Sequence, residues 1–426
     1  MRALFRNPTF TKLFIATFTS QLGSVVGNMA FAYYLVDRYS SRPALATTAE
    51  LMYSLPTFAV FWIVGVIADL LDRKSIAAYS DWIRASLTVL LLLFVHYDIL
   101  FACFLILFLR SAISKFFGPA EMGLLQGSIG QEQYVQAAGL NQTIMGLFMI
   151  FGMSLGAVSY HYVGVDGAIL IDGLSFIVSG ALILWCKFPQ EVRLPNGSKT
   201  LRDIRLPRII SDFQLGIQYI LQNKLLLVLI SGFLFFGFVN GVFAVLPIFT
   251  MKYKLSPDNY MIFSSLITIA LGIGVIVGSV VAPILIQRFT RTRMLITGLF
   301  LSSVFIIVLG STSQVWVYLP ITFVMGINLA PVNIALGSWM PELVTPHNMG
   351  RVNALTEPIM MFGHSLALGM VSFAFPTLIS ITWLHYLLGL CTFAVCTYYF
   401  MVLPRLVNML SLQKSDLNPD GAPSSL

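Results

Sequence analysis

Gly65-Val66-Ile67-Ala68-Asp69-Leu70-Leu71-Asp72-Arg73-Lys74 is the stretch that decides how this chain is read. It falls between two apolar runs, at about 45 to 69 and about 75 to 95, each long enough to cross a hydrocarbon core of about 30 Å as a helix. Asp69, Asp72, Arg73 and Lys74 crowd four charges into its last six residues. Charges at that density are too costly inside lipid, so the stretch is a hinge at the membrane surface between two spans.

Moving outward from the hinge, apolar runs of about twenty residues recur along nearly the whole chain. Of the 426 residues 57% are apolar and 10% charged, where a soluble domain carries about a quarter charged. The spans are helices, because lipid offers the backbone no hydrogen-bond partners. A transmembrane β-barrel would alternate in short segments, and these runs are continuous. Spans are expected at about 10 to 36, 45 to 69, 75 to 95, 99 to 126, 136 to 160, 166 to 186, 225 to 250, 260 to 287, 293 to 312, 315 to 338, 351 to 377 and 381 to 403. The expectation is an all-α membrane protein of about twelve transmembrane helices. The first run is too long for a signal-peptide core and is expected to remain as a helix.

The formal charge of +7 would point to nucleic acid in a soluble protein. Here its distribution follows the bilayer instead. An even span count puts both termini on one side, and the cytoplasmic choice leaves only Arg38, Arg42, Lys252 and Lys254 outside. The longest polar segment, 187–224, reads as a basic cytoplasmic linker attracted to anionic lipid, with an interfacial helix from Asp212 to Gln222. It separates a six-helix bundle at 1–186 from a second at 225–404, and 405–426 reads as a disordered cytoplasmic tail. The halves repeat weakly: a shift of 212 positions superposes Pro119 on Pro331 and Asn141 on Asn353. The matches pair the fourth and fifth spans with the tenth and eleventh, as a duplicated unit requires. The chain is expected to be a monomer in the bilayer, with no nucleic-acid partner.

With the spans placed, the hinge resembles the loop between the second and third helices of the major facilitator superfamily. That loop reads Gly, three residues, Asp, Arg, any residue, Gly, Arg, then Lys or Arg. Gly65, Asp69, Arg73 and Lys74 match it, while Leu70 and Asp72 replace the usual Arg and Gly. Further stretches resemble the macrolide-efflux and enterobactin-exporter branch: Phe117-Gly118-Pro119-Ala120, Ile171-Asp172-Gly173-Leu174-Ser175-Phe176, and Met349-Gly350-Arg351-Val352-Asn353. The resemblance implies two pseudo-symmetric six-helix bundles and a secondary exporter working by alternating access without ATP hydrolysis, with Gly65, Asp69, Arg73 and Lys74 as a conformational latch. It also implies a bacterial cytoplasmic membrane, protons as the coupling ion, and an amphipathic small-molecule substrate such as a drug, macrolide-like compound or siderophore. A lipid or lysophospholipid flippase of the same fold is the alternative. A membrane enzyme or sensor is remote, since it needs a compact set of reactive groups. The five histidines are scattered without metal-ligand spacing and the four cysteines sit in apolar runs, so no cofactor is expected.

Several polar residues fall where lipid makes them expensive. Arg110 lies mid-span and shares a helical face with Ser114 and Glu121. It is either a partner for a substrate anion or coupling carboxylate, or half of a structural ion pair. Asp81 has Arg84 one turn away. Asp172 shares a face with Ser175 and Ser179, and Glu357 one with Asn353, Met361 and His364. Asp172, Glu357, Arg110 and Glu121 are the coupling candidates, with structural hydrogen bonding as the competing role. Thr17, Gln21, Ser24 and Asn28 form a polar stripe on the first span; Phe233, Phe236, Asn240, Phe243 and Pro247 form an aromatic one on the seventh. Gln21, Ser24, Asn28, Phe233, Phe236, Asn240, Phe243, Asn353 and Met361 are the expected substrate cavity, with ordinary helix packing as the alternative.

Overall fold

A computed structural model describes residues 2–130, 134–194, 206–344 and 346–417. It divides into two compact units, Met1–Leu206 and Pro207–Leu426.

In the first unit a short α1 (Arg2–Phe5) precedes α2 (Pro8–Arg38), α3 (Ala44–Ser54), α4 (Pro56–Leu70), α5 (Arg73–His96), α6 (Leu100–Gln126), α7 (Tyr134–Trp185) and a short α8 (Gln190–Arg193). Caps and breakers set these bounds. The Asn7 side chain accepts from the amides of Thr9 and Phe10, and Pro8 starts α2 where no amide is needed. Pro56 opens α4 in the same way, splitting the second expected span in two. α7 is two helices joined at Gly164, whose φ of 68° a side chain would disfavour. In the second unit follow α9 (Leu206–Gln222), α10 (Lys224–Thr250), a π-turn (Met251–Leu255), α11 (Tyr260–Arg288), α12 (Arg291–Ser311), α13 (Val315–Leu343), α14 (Pro346–Ala374) and α15 (Ile381–Leu417). Asn223 and Thr290 cap α10 and α12 through their side chains.

Counting α3 with α4 as one span and α7 as two gives twelve membrane-length helical segments, six in each unit. Eight stretches among the described residues pass on length and hydropathy alone. The others carry a polar face or a break, as in α2 with Gln21 and Asn28 and in the divided α3 and α4, or, in the first half of α7 and in α14, include residues whose side chains lie outside the described set. The helix pairing repeats between units. In the first, α2 packs on α7, α4 on α6, and α5 on both α6 and α7; in the second, α10 packs on α14, α11 on α13, and α12 on both α13 and α15. This is the duplicated six-helix bundle.

Where the sequence reading puts a tail from residue 405, α15 continues to Leu417. Leu403 is buried with Leu229, Leu299 and Tyr399, and Leu406 and Val407 pack on the same cluster. This apolar seam carries the helix past Pro404. Residues 418–426 lie outside the described set.

Candidate functional site

The polar face of α2 meets charges from three other segments of the first unit. Ser20 donates to Asp81 Oδ1 at 3.1 Å, and Arg84, one turn along α5, donates to the same oxygen at 3.0 Å. Arg84 Nη2 also reaches Ser24 Oγ at 2.8 Å. Beyond them, Arg110 of α6 donates to Asp172 Oδ2 of α7. The two pairs share one aromatic ring: the guanidinium carbon of Arg84 stands 3.8 Å from the centroid of Phe176 and that of Arg110 5.4 Å. Asp81 and Asp172 are fully buried, Arg84 is 8% exposed and Arg110 6%.

Glycines on α2 allow this closeness. A Cβ on Gly27 would stand 2.9 Å from Asp172 Oδ2, and one on Gly23 would collide with the Ser175 hydroxyl. The cluster is formally neutral, which makes its burial tolerable. The two pairs differ in reach: Asp81 and Arg84 share one helix and are tied by two α2 hydroxyls, whereas Asp172 is held by Arg110 from another helix; in each pair one carboxylate oxygen and the arginine Nε have no described partner.

Sequence reasoning listed Asp172 and Arg110 separately and missed what surrounds them. Glu50 and Tyr53 of α3 lie within electrostatic reach of each other, and Tyr53 within reach of Arg110 and Asp172. Ser111 donates to the Tyr53 carbonyl at 2.7 Å. The signal for Glu50 was available, since it falls inside an expected span. Glu121 lies elsewhere, eleven residues or about 16 Å along α6 from Arg110, and accepts from Thr17 at 3.3 Å. Ser24 is engaged by Arg84 and donates to the Ser20 carbonyl at 2.9 Å, which makes it part of the ionic cluster; Gln21 and Asn28 remain half-buried on α2.

At the hinge the surroundings of Gly65 and the side chain of Asp69 lie outside what the structure describes. Asp72, which stands where the superfamily loop has Gly, caps α5: it accepts from the Lys74 amide at 3.0 Å and the Ser75 hydroxyl at 2.9 Å. Arg193 of α8 grips the same carboxylate, with Nε to Oδ1 at 3.1 Å and Nη2 to Oδ2. Burial acts against the charged form of Asp72, but the hydrogen bonds from Arg193 and Ser75, the Arg193 charge and the Lys74 amide outweigh it and hold its pKa below the ordinary aspartate value. Arg73 lies over Gly123 of α6, where an added Cβ would meet its guanidinium at 2.6 Å.

In the second unit Glu357 is exposed and has no described ion-pair partner, and the side chain of Asn353 lies outside the described residues. Met361 is half-buried. Phe233 and Phe236 meet edge to face at 6.4 Å, yet Phe233 packs on a cluster around Ile220 and Val352 and Phe236 on one around Leu229 and Tyr399. Asn240 donates to the Phe236 carbonyl at 2.9 Å and Phe243 is half-buried. Among the described residues no three His, Cys, Asp or Glu side chains group as metal ligands.

Comparison with known proteins settles the family. The model of the Major Facilitator Superfamily matches residues 13–370. This chain belongs to the Major Facilitator Superfamily. It is 48% identical over 403 residues to the MFS-type transporter YkuC of Bacillus subtilis (strain 168), covering 94% of each chain. It is 24% identical over 355 residues to macrolide efflux protein A of Streptococcus pyogenes, covering 82% of this chain and 85% of that one. Among solved structures, a bacterial homologue of the iron transporter ferroportin in its inward-facing state superposes with a TM-score of 0.69 at 13% identity, over 93% of this chain and 98% of the other. A POT peptide transporter gives 0.71 at 12%, over 93% and 94%. At those identities the structural likeness speaks to fold. The chain is therefore an MFS transporter and a multi-pass membrane protein.

Proposed function

We propose that this transporter exports amphipathic organic compounds, macrolide-like molecules among them, across a bacterial cytoplasmic membrane in exchange for protons. It works as a monomer with both termini in the cytoplasm, opening alternately to either face. The likeness to macrolide efflux protein A supports the substrate class, and the distribution of Lys and Arg supports the orientation. Gln21 and Asn28 of α2, with Phe233, Phe236, Asn240, Phe243, Asn353 and Met361 of the second unit, are the substrate-contacting residues of this reading. The hinge around Gly65, Asp69, Arg73 and Lys74 is its latch.

The observation that carries the coupling step is the buried pair Arg110 and Asp172, whose two members come from different helices. A gradient biases two conformations only where proton binding differs between them. With Arg110 in place Asp172 is a compensated anion. When α6 and α7 shift and Arg110 withdraws, Asp172 becomes an unpaired buried charge, which is far costlier than the neutral acid, and it takes up a proton. Asp81 keeps its Arg84 on the same helix, so such a shift does not separate them. Glu121, with its Thr17 contact, and the exposed Glu357 are secondary candidates.

The test loads inside-out vesicles with the protein, imposes a pH gradient and measures accumulation of a macrolide panel. Wild type accumulates drug with the gradient. Asp172→Asn abolishes that dependence while leaving drug exchange down a concentration gradient. Uphill accumulation by both Asp172→Asn and Glu357→Gln at wild-type level would remove the coupling assignment, and a wild type that accumulates no macrolide would remove the substrate class.

A further inference from the structure

At the end of the first unit where α2 begins, α5 begins and α7 ends, Leu13, Ala77, Ala78, Ile183 and Cys186 form one buried cluster, with Ile76 and Phe188 packed on it. Three of the four contributing segments, with α6 supplying Phe117, Ala120 and Leu124 as the fourth, each bring one of three lysines beside the cluster: Lys12 next to Leu13, Lys74 two residues before Ile76, and Lys187 next to Cys186. Lys12 and Lys74 both act electrostatically on the Cys186 thiol. Side-chain donors tie the start of α2 to the end of α7, with Thr9 Oγ1 donating to the Lys187 carbonyl at 3.4 Å and Cys186 Sγ to the Thr9 carbonyl at 3.8 Å. Lys12 and Lys187 are exposed and Lys74 half-buried.

Three cations brought together need counter-charge. The nearby carboxylate Asp72 is committed to Arg193 and to capping α5. Glu191, exposed on α8, makes no ion pair with a described residue. The carbonyl end of α7 supplies about half a negative charge, against three positive ones. The site also lies at the ends of the apolar spans Arg73–His96 and Ile150–Trp185, where a membrane-spanning helix meets the headgroups.

We propose that Lys12, Lys74 and Lys187 bind the phosphate of an anionic phospholipid headgroup. Basic side chains carried by neighbouring helix ends at this depth fit the phosphodiester of a lipid headgroup. The proposal does not depend on the transported substrate or on proton coupling.

The experiment uses the full-length protein purified in mild detergent, with phosphatidylglycerol and phosphatidylcholine supplied in separate titrations. Retained lipid is read by native mass spectrometry and stabilisation by thermal unfolding. Phosphatidylglycerol is expected to be retained preferentially, with a preference that weakens as salt rises. Neutralising the lysines singly and together (K12Q, K74Q, K187Q) lowers its affinity roughly fivefold per lysine, the factor matching about 1 kcal/mol per basic residue. The triple K12R, K74R, K187R variant keeps the preference. Equal retention of the two lipids, or an unchanged preference in the triple Gln variant with a wild-type melting profile, overturns the proposal. So does displacement of phosphatidylglycerol by equimolar inorganic phosphate, which would assign the site to a soluble anion.

Discussion

The two units pair their helices in the same pattern and fill the seams with different chemistry. In the first, α2, α5, α6 and α7 meet over Asp81, Arg84, Arg110 and Asp172. In the second, glycines press directly on neighbouring backbone: Gly237 on the Met360 carbonyl, Gly363 on that of Leu234, Gly274 on that of Phe323 and Gly326 on that of Leu271. The polar contacts described there are mostly neutral, as where Asn328 donates to the Gly298 carbonyl at 2.7 Å and to Ser302 Oγ at 2.8 Å, or where His385 Nε2 meets the Tyr318 hydroxyl at 3.1 Å. Close backbone contact is short-ranged and is lost on a shift of a fraction of an ångström. Ionic attraction falls off slowly, and its balance changes with one proton. One scaffold thus carries buried ion pairs in one unit and close backbone packing in the other.

The sharpest way to break this contrast is to remove one member of the buried pair. Asp172→Ala leaves Arg110 charged and uncompensated, and is expected to cost about 3–5 kcal/mol, seen as a large fall in thermal unfolding temperature in detergent. Arg110→Met on the same background should recover much of that loss, because the second charge disappears too. Failure of the double variant to recover stability would mean that the pair is not coupled as its geometry indicates.

A glycine seam answers differently. Gly363→Val drives a branched side chain against the Leu234 carbonyl and is expected to cost about 1–3 kcal/mol from overpacking. No second-site charge change should rescue it. Asn328→Ala removes two neutral hydrogen bonds and should cost about 1–2 kcal/mol, measured by the same unfolding assay.

The sequence carried the spans because their apolar runs are long, and it carried the duplication because Pro and Asn recur at matching places. It also flagged Arg110 and Asp172, each too costly in lipid to be incidental. What it did not carry was their pairing, since 62 residues separate them and no spacing rule links two different helices. Phe176 was visible only as part of a family-like stretch, and its place between two guanidiniums is a property of the packing. Asp72 was read as a departure from the superfamily loop. Its role follows from Arg193, far along the chain, and from the amide of Lys74, which becomes a donor only once α5 begins there.

The smallest expected effect lies at the surface end of the same comparison. Asp98, at φ 56° in the turn between α5 and α6, accepts from Arg38 at 2.7 Å, Tyr34 at 3.1 Å and Tyr39 at 3.2 Å. The Arg38 hydrogen bond, then that from Tyr34, holds its pKa below the ordinary aspartate value. A carboxylate depressed in this way stabilises the fold above its unfolded value of about 4, and that contribution is lost as pH falls through the lower folded value. In the second unit Lys254 serves the carbonyl of Gly310 near the end of α12, an acceptor that does not titrate. Asp98→Asn keeps a residue that tolerates positive φ and removes only the charge. Its unfolding temperature should fall slightly below wild type at neutral pH, by less than the Asn328 effect, and converge on wild type in acid or at high salt. Lys254→Met should keep the same deficit at both pH values. A pH-independent deficit in Asp98→Asn would mean that the C-terminal end of α2 is held by its tyrosines alone, leaving the Asp72–Arg193 pair as the described ionic contact at the surface of the first unit.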